Sequence, residues 1–248
     1  MPNPLDEVSG PVNTEGQDVN VINRQLPATF GSGTVVFEVG IWVVGVLIAF
    51  AIGFAVTKKL VPAIACAVLG VLPGLIFQLM KTQALAYLRK LEQNVQAAAS
   101  QVDTFLEQRV IILQNLASLL DKSIDLDKDV MKSVAAYRGG GQPNADAARN
   151  ETASNVDGLF GRINVAFEAY PQLRAQDNIA EAMRQNGNLQ KEITAARILY
   201  NDTVSTWNRD IFAWPTKAIV ATKAGYTTRI PFIASQEMKD AARGNFFK

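Results

Sequence analysis

The sequence predicts an all-α protein in which N-terminal transmembrane segments continue into an antiparallel bundle of long helices. Two apolar runs, residues 35–56 and 60–80, lie near the N-terminus. Beyond them, apolar residues recur every three or four positions over long stretches, which is the spacing of an amphipathic helix. Few segments alternate with the two-residue period of a strand, so a helical bundle is the fold we expect.

The composition argues against an enzyme. The chain contains no histidine, and its single cysteine, Cys66, lies inside an apolar run. Histidine is the usual general base near neutral pH and the commonest metal ligand, and an apolar environment makes a thiol a poor nucleophile. We therefore expect no catalytic residue, no cofactor and no metal. The formal net charge of +1, with scattered Lys and Arg, gives no reason to expect nucleic-acid binding.

Residues 1–33 are predicted to form a disordered acidic tail. This stretch is rich in Pro, Gly, Asn and Asp, and it has few large apolar residues. Its charged residues, four carboxylates against one arginine, give a net charge of −3. Such a segment buries too little apolar surface to offset the entropy that folding would cost.

Residues 34–80 are predicted to be a transmembrane region, most simply a helical hairpin. Residues 35–56 contain one charge, Glu38, and residues 60–80 contain none. A helix needs roughly 20 apolar residues to cross a hydrocarbon core of ~30 Å, and each run meets that length. The connection at residues 57–59 is short and charged, which favours a turn outside the bilayer.

The topology has one alternative. Pro62 and Pro73 both disturb a helix, so residues 60–80 also fit a kinked segment at the membrane surface after a single span. For a hairpin, the flanking cations favour a cytoplasmic bundle by four to two. They are Arg24, Lys81, Arg89 and Lys90 on the side of the bundle, against Lys58 and Lys59 in the turn.

Small residues repeat every four positions in both apolar runs. They are Gly45, Ala49 and Gly53 in the first run, and Cys66, Gly70 and Gly74 in the second. Small side chains let membrane helices approach closely, so this pattern predicts contacts within the hairpin or between copies. The ordinary abundance of Gly and Ala in membrane helices explains the pattern equally well.

A long amphipathic helix is predicted to follow the second run directly. No Pro or Gly occurs between Lys81 and Lys122, and the apolar positions form a heptad seam typical of a coiled coil. The seam consists of Leu88, Leu91, Val95, Ala98, Val102, Phe105, Ile112, Leu116 and Leu119. Arg109 also occupies a seam position, where its charge needs a buried partner or access to solvent.

Two further helices complete the predicted bundle over residues 81–213. The first runs from about Ala145 to Ala169, and the second from about Arg174 to Phe212, with Pro171 between them. The seam of the second helix comprises Ile179, Met183, Leu189, Ile193, Ala196, Tyr200, Val204, Trp207 and Ile211. The remaining residues, 214–248, are predicted to be a C-terminal tail with a short apolar segment.

The stretch ITAARILYNDTVSTWNRDI, residues 193–211, carries the densest set of polar groups. Arg197 and Asn201 are four residues apart and share a helix face, and Asn208 continues their polar stripe. Tyr200 and Trp207 fall in the apolar seam. Because the stretch offers no paired acid and base, we favour a structural role that fixes helix register over partner binding, and both over catalysis.

Three motifs resemble those of the LemA family of bacterial membrane proteins. The first is an Arg followed by an Asn-Leu pair, the second is Tyr-Pro-x-Leu-x-Ala, and the third is Ala-Arg-x-x-Tyr-Asn-x-x-Val-x-x-x-Asn. Here they correspond to Arg109, Asn115 and Leu116; to Tyr170, Pro171, Leu173 and Ala175; and to Ala196, Arg197, Tyr200, Asn201, Val204 and Asn208. The likeness covers about residues 80–225.

The resemblance implies a helical bundle that is anchored in the bacterial inner (cytoplasmic) membrane and has no established enzymatic activity. Some members of the family take part in building magnetosome membranes, and the motif residues resemble fold determinants. We therefore expect a non-enzymatic scaffold whose partners are the lipid bilayer and further copies of itself. The alternative is an adaptor that regulates another membrane protein, such as a protease or transporter.

Overall fold

The computed structural model describes residues 25–119, 145–169 and 177–232. The described residues form six helices and contain no β-strand. The helices are α1 (Gly33–Thr57), α2 (Leu60–Leu69), α3 (Leu72–Leu119), α4 (Ala145–Ala169), α5 (Asp177–Asp210) and α6 (Thr216–Ala224). This confirms the predicted all-α fold, in which an apolar N-terminal helix leads into a long helix and a helical bundle.

The described residues divide into two compact units. The first contains residues 25–93 and 206–228, and the second contains residues 94–205, as far as they are described, together with 229–232. Helices α3 and α5 each contribute residues to both units. The apolar helices and α6 therefore belong to the first unit, and α4 belongs to the second.

Helices α1 and α2 form a hairpin in the first unit. Helix α1 ends at Thr57, where the N–H of Lys58 binds the carbonyl of Phe54 at 2.8 Å. Lys58 has a φ of 49°, and this left-handed conformation reverses the chain within two residues. Two helical stretches, Gly33–Thr57 and Leu60–Leu116, contain windows long and apolar enough to cross a membrane.

The second apolar run is divided into two helices. Helix α2 ends at Leu69 and α3 begins at Leu72. Pro73 has no N–H to donate to the carbonyl of Leu69, so the regular helical pattern fails there. The N–H of Val71 instead binds the carbonyl of Val68 at 3.2 Å, in a tighter turn. Pro62, by contrast, lies in the first turn of α2, where an N–H has no partner within the helix.

The predicted small residues lie where the hairpin helices approach most closely. A Cβ atom added to Gly45 would lie 2.5 Å from the carbonyl oxygen of Gly70, and a Cβ on Gly70 would lie 2.5 Å from the carbonyl oxygen of Gly45. Both distances are far below van der Waals contact. The two backbones therefore meet at a separation that only glycine permits.

The same close packing continues on either side of this contact. A Cβ on Gly53 would lie 2.7 Å from the Cβ of Cys66, and a Cβ on Gly74 would overlap the indole ring of Trp42. Ala49 is half-buried on the same helix as Gly53. Small residues thus line the hairpin along its length.

The buried face of α3 follows the predicted seam as far as Val102, and beyond it Arg109 and Leu116 stay buried while two other seam positions do not. Phe105 and Ile112 are only partly buried, whereas their neighbours Leu106 and Leu113 are fully buried. A straight helix has 3.6 residues per turn, so its buried stripe drifts away from a strict seven-residue repeat. The shift of one position is the result of that drift.

Helix α4 runs parallel to α3 in the second unit. Asp103 pairs with Arg149, and further along both helices Arg109 pairs with Asp157. Their shared apolar core, together with the first turn of α5, comprises Val110, Leu113, Leu116, Val156, Leu159, Ile163 and Ile179. The 25 residues between α3 and α4, longer than a tight turn, permit this parallel arrangement.

Helix α5 runs antiparallel to both α3 and α4. Asn186, in its first half, binds Arg109, and Tyr200, in its second half, binds Arg149. Arg149 lies in the first half of α4. The long helices α3 and α5 are therefore antiparallel, as the sequence predicts.

The end of the predicted disordered tail is structured. The N–H of Ala28 binds the carbonyl of Tyr226 at 2.9 Å, and the N–H of Thr228 binds the carbonyl of Leu26 at 2.8 Å. Ala28 is also buried. These ladder-like bonds hold residues 26–28, whereas residues 1–24 lie outside the described residues.

The apolar segment predicted in the C-terminal tail is helix α6. It buries Ala218, Ile219, Val220 and Ala221 and ends at Gly225, whose φ of 69° caps the helix. A left-handed residue at this position is the common way to end a helix, and glycine adopts it without strain. Residues 233–248 of the predicted tail lie outside the described residues.

Candidate functional site

The candidate site is a network of polar side chains on α3, α4 and α5 of the second unit. Helix α5 contains no proline, and Asp177 in its first turn and Arg209 in its last match the helix dipole. Its uninterrupted course aligns Arg197, Tyr200 and Asn201 along the bundle. Of the other predicted residues, Tyr170 and Pro171 lie outside the described residues, and Asn115 is exposed.

Asn201 binds the backbone of Phe232 through both ends of its amide. Its Nδ2 donates to the carbonyl of Phe232 at 3.1 Å, and its Oδ1 accepts from the N–H of the same residue at 2.7 Å. Tyr200 donates its hydroxyl to the carbonyl of Ile230 at 3.1 Å. These motif residues therefore hold a short non-helical part of the chain, residues 230–232, which we call the terminal segment.

Helix α4 binds the terminal segment from its own side. Asn150 donates to the carbonyl of Pro231 at 3.1 Å, and Asp146 accepts from the N–H of Ile230 at 3.2 Å. Proline has no N–H, so the terminal segment carries five backbone polar groups. All five are bonded to side chains of α4 or α5, which satisfies them without any strand pairing.

The ring of Phe232 adds apolar and cation–π contacts. It packs edge-on against Tyr200, with 5.2 Å between the ring centroids. The Arg197 guanidinium lies 5.4 Å from the centroid of the Phe232 ring. Arg197, Tyr200 and Asn201, which belong to one motif of α5, thus all contact the terminal segment.

Trp207 holds the chain in the same manner within the first unit. Its indole Nε1 donates to the carbonyl of Thr227 at 2.9 Å, and its ring packs edge-on against Tyr226 at 5.0 Å. Trp207 is fully buried, whereas Asn208 is half-buried. The seam position predicted for Trp207 therefore combines burial with a backbone contact.

Arg109 is a buried cation whose partners come from two helices. Its side chain is 2% exposed. Its Nε donates to Oδ1 of Asn186 at 3.0 Å, its Nη1 donates to Asp157 at 2.5 Å, and it lies over the ring of Phe160. The buried partner that the sequence requires for Arg109 is thus a carboxylate together with an amide.

The sequence reasoning missed Asn186, although the seam contained a signal for it. Ile179, Asn186 and Ile193 are spaced by seven residues, and Tyr200 and Trp207 continue the repeat. A polar residue in such a repeat commonly fixes the alignment of helices. Asn186 performs this task here by binding Arg109.

A second buried cation, Arg149, links three polar side chains. Its Nε donates to Asp103 at 3.1 Å, and its Nη1 lies 3.1 Å from Asp146 and 3.4 Å from the hydroxyl of Tyr200. Burial, followed by the charge of Asp146, raises the pKa of Tyr200, so this hydroxyl stays protonated and can donate to Ile230. Arg149 lies outside the apolar seams of the sequence, so no pattern marked it as a buried residue.

Arg197 is the least satisfied member of the network. Its Nη2 lies 3.9 Å from Asp157, a distance of charge attraction without a hydrogen bond. Its Nε and Nη2 are buried and have no hydrogen-bond partner. Burial lowers the pKa of Arg197, and the nearby charge of Arg109 lowers it further. Arg197 therefore acts on Phe232 and Asp157 through its charge.

Asp103 has the most strongly shifted carboxyl in the network. Burial raises its pKa to about 6, because the charged form loses hydration, while the charge of Arg149 opposes this increase. The ordinary value is 3.8. The folded protein therefore binds a proton at Asp103 more readily than the unfolded chain does.

Acidification is expected to stabilise the protein through Asp103. The folded pKa lies above the unfolded one, so this contribution is gained as the pH falls through about 6 and is lost as it rises again. Between pH 7 and pH 5 the gain is about 1.3 kcal/mol, because about one pH unit of this interval lies below the folded pKa. The measurement is the free energy of unfolding between pH 7 and 5. Asp103→Asn should remove this gain, whereas Glu151→Gln, at an exposed carboxylate, should keep it. The same dependence of the free energy of unfolding on pH in wild type and Asp103→Asn would contradict the prediction.

Asn201→Ala is expected to release the terminal segment. The substitution leaves the N–H and carbonyl of Phe232 without partners, at a cost of about 1–3 kcal/mol. Limited proteolysis should then cleave the chain near Phe232 faster than in the wild type. Asp202→Ala, at the exposed neighbouring position, is the matched control. Unchanged cleavage in Asn201→Ala would show that the amide does not hold the segment.

The architecture and the site together define a helical-bundle protein with apolar N-terminal helices, whose polar core binds its own C-terminal chain. A model of the LemA family matches residues 98–246. This range covers more than half of the chain, and the protein belongs to the LemA family. The matched range contains Arg109, the α5 motif and the terminal segment. A search of curated proteins gave no match.

The polar side chains of the site make their contacts within the protein. The polar atoms of Tyr200 and Asn201 are bonded to the terminal segment, and those of Arg109 are bonded to Asn186 and Asp157. Among the described residues, no group of three or more His, Cys, Asp and Glu side chains could hold a metal ion. Among the described residues, the side chains of the site bind backbone amides of the terminal segment and pair charges between helices.

Proposed function

We propose that this protein is a non-enzymatic scaffold that is anchored in a membrane and organises it by self-association of its bundle. The observation that carries the proposal is the distribution of apolar surface. Val36 and Val61 are 70% and 79% exposed on the hairpin. Further exposed apolar side chains include Val43, Leu47, Ile52, Ile64, Leu72, Ile76 and Leu79. Soluble proteins rarely expose so large an apolar surface, whereas lipid chains would cover it.

The anchor is proposed to lie in the bacterial cytoplasmic membrane, with the bundle on the cytoplasmic side. The count of flanking cations supports this orientation. This count applies because a hairpin returns the chain to the side from which it entered, so the outer flanks of the two apolar runs share one side. The thiol of Ser205→Cys should then react with a membrane-impermeant reagent only in inverted vesicles.

The bundle itself supports a structural role. Among the described residues, its polar motif side chains hold the terminal segment and pair charges between helices, and we propose that this is their whole role. A groove of about 470 Å³ between α3 and α5 carries Ile111, which is 50% exposed, beside Leu189 and Glu192. We propose that a second copy of the chain covers this groove.

Site-specific cross-linking tests the self-association. Cys66→Ala removes the single native thiol, and Ile111→Cys then places one thiol in the groove. Ser205→Cys, also exposed in the second unit, is the control. In native membranes a bifunctional maleimide should link Ile111→Cys to itself far more than Ser205→Cys.

The alternative occupant is another membrane protein, which would make this chain an adaptor or regulator. Glu192 and the amide side chains at the rim of the groove favour a polar partner surface as well as an apolar one. Adducts of Ile111→Cys that contain only a different protein would replace the scaffold proposal with this one. An absence of any adduct would exclude the groove from both roles.

A further inference from the structure

The first unit contains a second cavity, which the LemA motifs do not include. Its volume is about 410 Å³, and it lies between α3 and α6. Its lining combines apolar side chains with cationic ones. The apolar residues are Leu85, Val220 and Ala224, and the cationic residues are Lys81, Arg89 and Lys223.

The charges around this cavity leave an excess of positive charge. Glu38 binds two of the cations, at 3.3 Å from Lys81 and 2.6 Å from Lys223. Burial raises the pKa of the Tyr226 hydroxyl, and the nearby Glu92 and Arg89 act on it in opposite directions. The residues that line the cavity thus include three cations and no carboxylate, and Glu38 is divided between two of these cations. An added anion would find donors that are only partly used.

The cavity lies where the apolar surface of α3 ends. Leu79 and Met80 are exposed apolar residues, and Lys81 immediately follows them as the first charge of the helix. If the hairpin is in a bilayer, this boundary corresponds to the level of the lipid headgroups. An anion at that level that also carries apolar chains is a phospholipid.

Aromatic residues mark the same boundary independently. The ring of Phe37, next to Glu38, packs against Phe77 at 5.8 Å and against Trp214 at 5.1 Å. Phe77 in turn lies 5.6 Å from the Nζ of Lys81. Trp214 is 51% exposed, and exposed tryptophans concentrate at the interface between membrane and water.

We propose that this cavity binds one anionic phospholipid, with the phosphate on Lys81, Arg89 and Lys223. The apolar residues of the lining would contact the glycerol and the first part of the acyl chains. The inference rests on the proposed membrane anchoring, and it adds a lipid selectivity that the anchoring alone does not require. Basic pockets beside membrane helices bind anionic headgroups in this way.

Native mass spectrometry of the full chain in detergent tests the proposal. The protein should retain one phosphatidylglycerol molecule and far less phosphatidylcholine. Arg89→Gln combined with Lys223→Gln should lower the retention by about thirtyfold, because each basic residue contributes about a fivefold factor. Lys58→Gln combined with Lys59→Gln removes the same charge from the hairpin turn and should leave the retention unchanged.

Further measurements distinguish a failure of the lipid-site proposal from a failure of the proposed membrane anchoring. Lys223→Gln alone, at an exposed position near the end of α6, should give a smaller loss without affecting folding, and circular dichroism checks both variants. Equal retention of the two lipids, or equal losses in the cavity and turn variants, would overturn the lipid site. Displacement of the lipid by millimolar inorganic phosphate would overturn it in favour of a free-phosphate site. Release of the protein from membranes by alkaline carbonate would instead refute the anchoring.

Discussion

Arg109→Ala should lower the free energy of unfolding by about 3–5 kcal/mol, the range expected when one partner of a buried charge pair is removed. The substitution removes the partner of Asn186, which is itself buried, and one partner of Asp157. It also opens a cavity beside Phe160. Arg197 stays 3.9 Å from Asp157 and can move closer, which places the expected loss near the lower end of the range.

Chemical unfolding of the detergent-purified protein, followed by circular dichroism, measures this loss. Arg184→Ala is the control, because Arg184 makes its bonds to Glu181 at the exposed surface of α5, and no measurable change is expected there. Arg109→Lys keeps the charge but loses the planar fork of donors, so its stability should fall between wild type and Arg109→Ala. Equal stability of Arg109→Ala and Arg184→Ala would show that the buried pair does not hold the bundle together.

The helices were predictable because apolar spacing is a property of the chain alone. Helix α4 occupies the predicted residues Ala145–Ala169, where apolar positions recur at helical spacing. The phase of α3 was less predictable, because the drift of a straight helix from a seven-residue repeat moves the buried position from Phe105 to Leu106. Because Phe105 and Leu106 are both apolar, the sequence alone allows either of them to face the core.

The candidate site was only partly predictable for a different reason. The pattern shows that Tyr200 faces the core and that Asn201 lies beside it. The backbone of Phe232 has no side-chain signature that would mark it as their partner. Side chains that bind backbone groups leave no complementary pattern in the sequence, so a role in helix register and a role in holding the terminal segment looked alike.

The two roles have different consequences for the protein. A side chain that fixes helix register stabilises two elements against sliding, and its loss affects the whole bundle. A side chain that holds a terminal segment stabilises a local contact, whose loss can leave the bundle folded. Arg109 belongs to the first kind and Asn201 to the second. The unfolding experiment on Arg109 and the proteolysis experiment on Asn201 should therefore separate them.

Gly45→Val is expected to have the largest effect in the first unit. Its Cβ would lie 2.5 Å from the carbonyl oxygen of Gly70, which is backbone and cannot rotate away. Helices α1 and α2 must then separate, at a cost of about 3 kcal/mol or more for such overpacking. The thermal midpoint should fall by roughly 6–12 °C. Thermal unfolding of the purified protein in detergent measures this shift.

Gly40→Val is the matched control for this prediction. Gly40 lies in the same helix and the same apolar run, but a Cβ there would meet nothing within 4 Å. The two substitutions therefore share their chemistry and differ only in the approach of the second helix. A large loss at Gly45 with none at Gly40 would assign the small residues to helix packing. Equal effects at both positions would mean that these glycines reflect only the ordinary composition of membrane helices, and that the hairpin contact does not stabilise the protein.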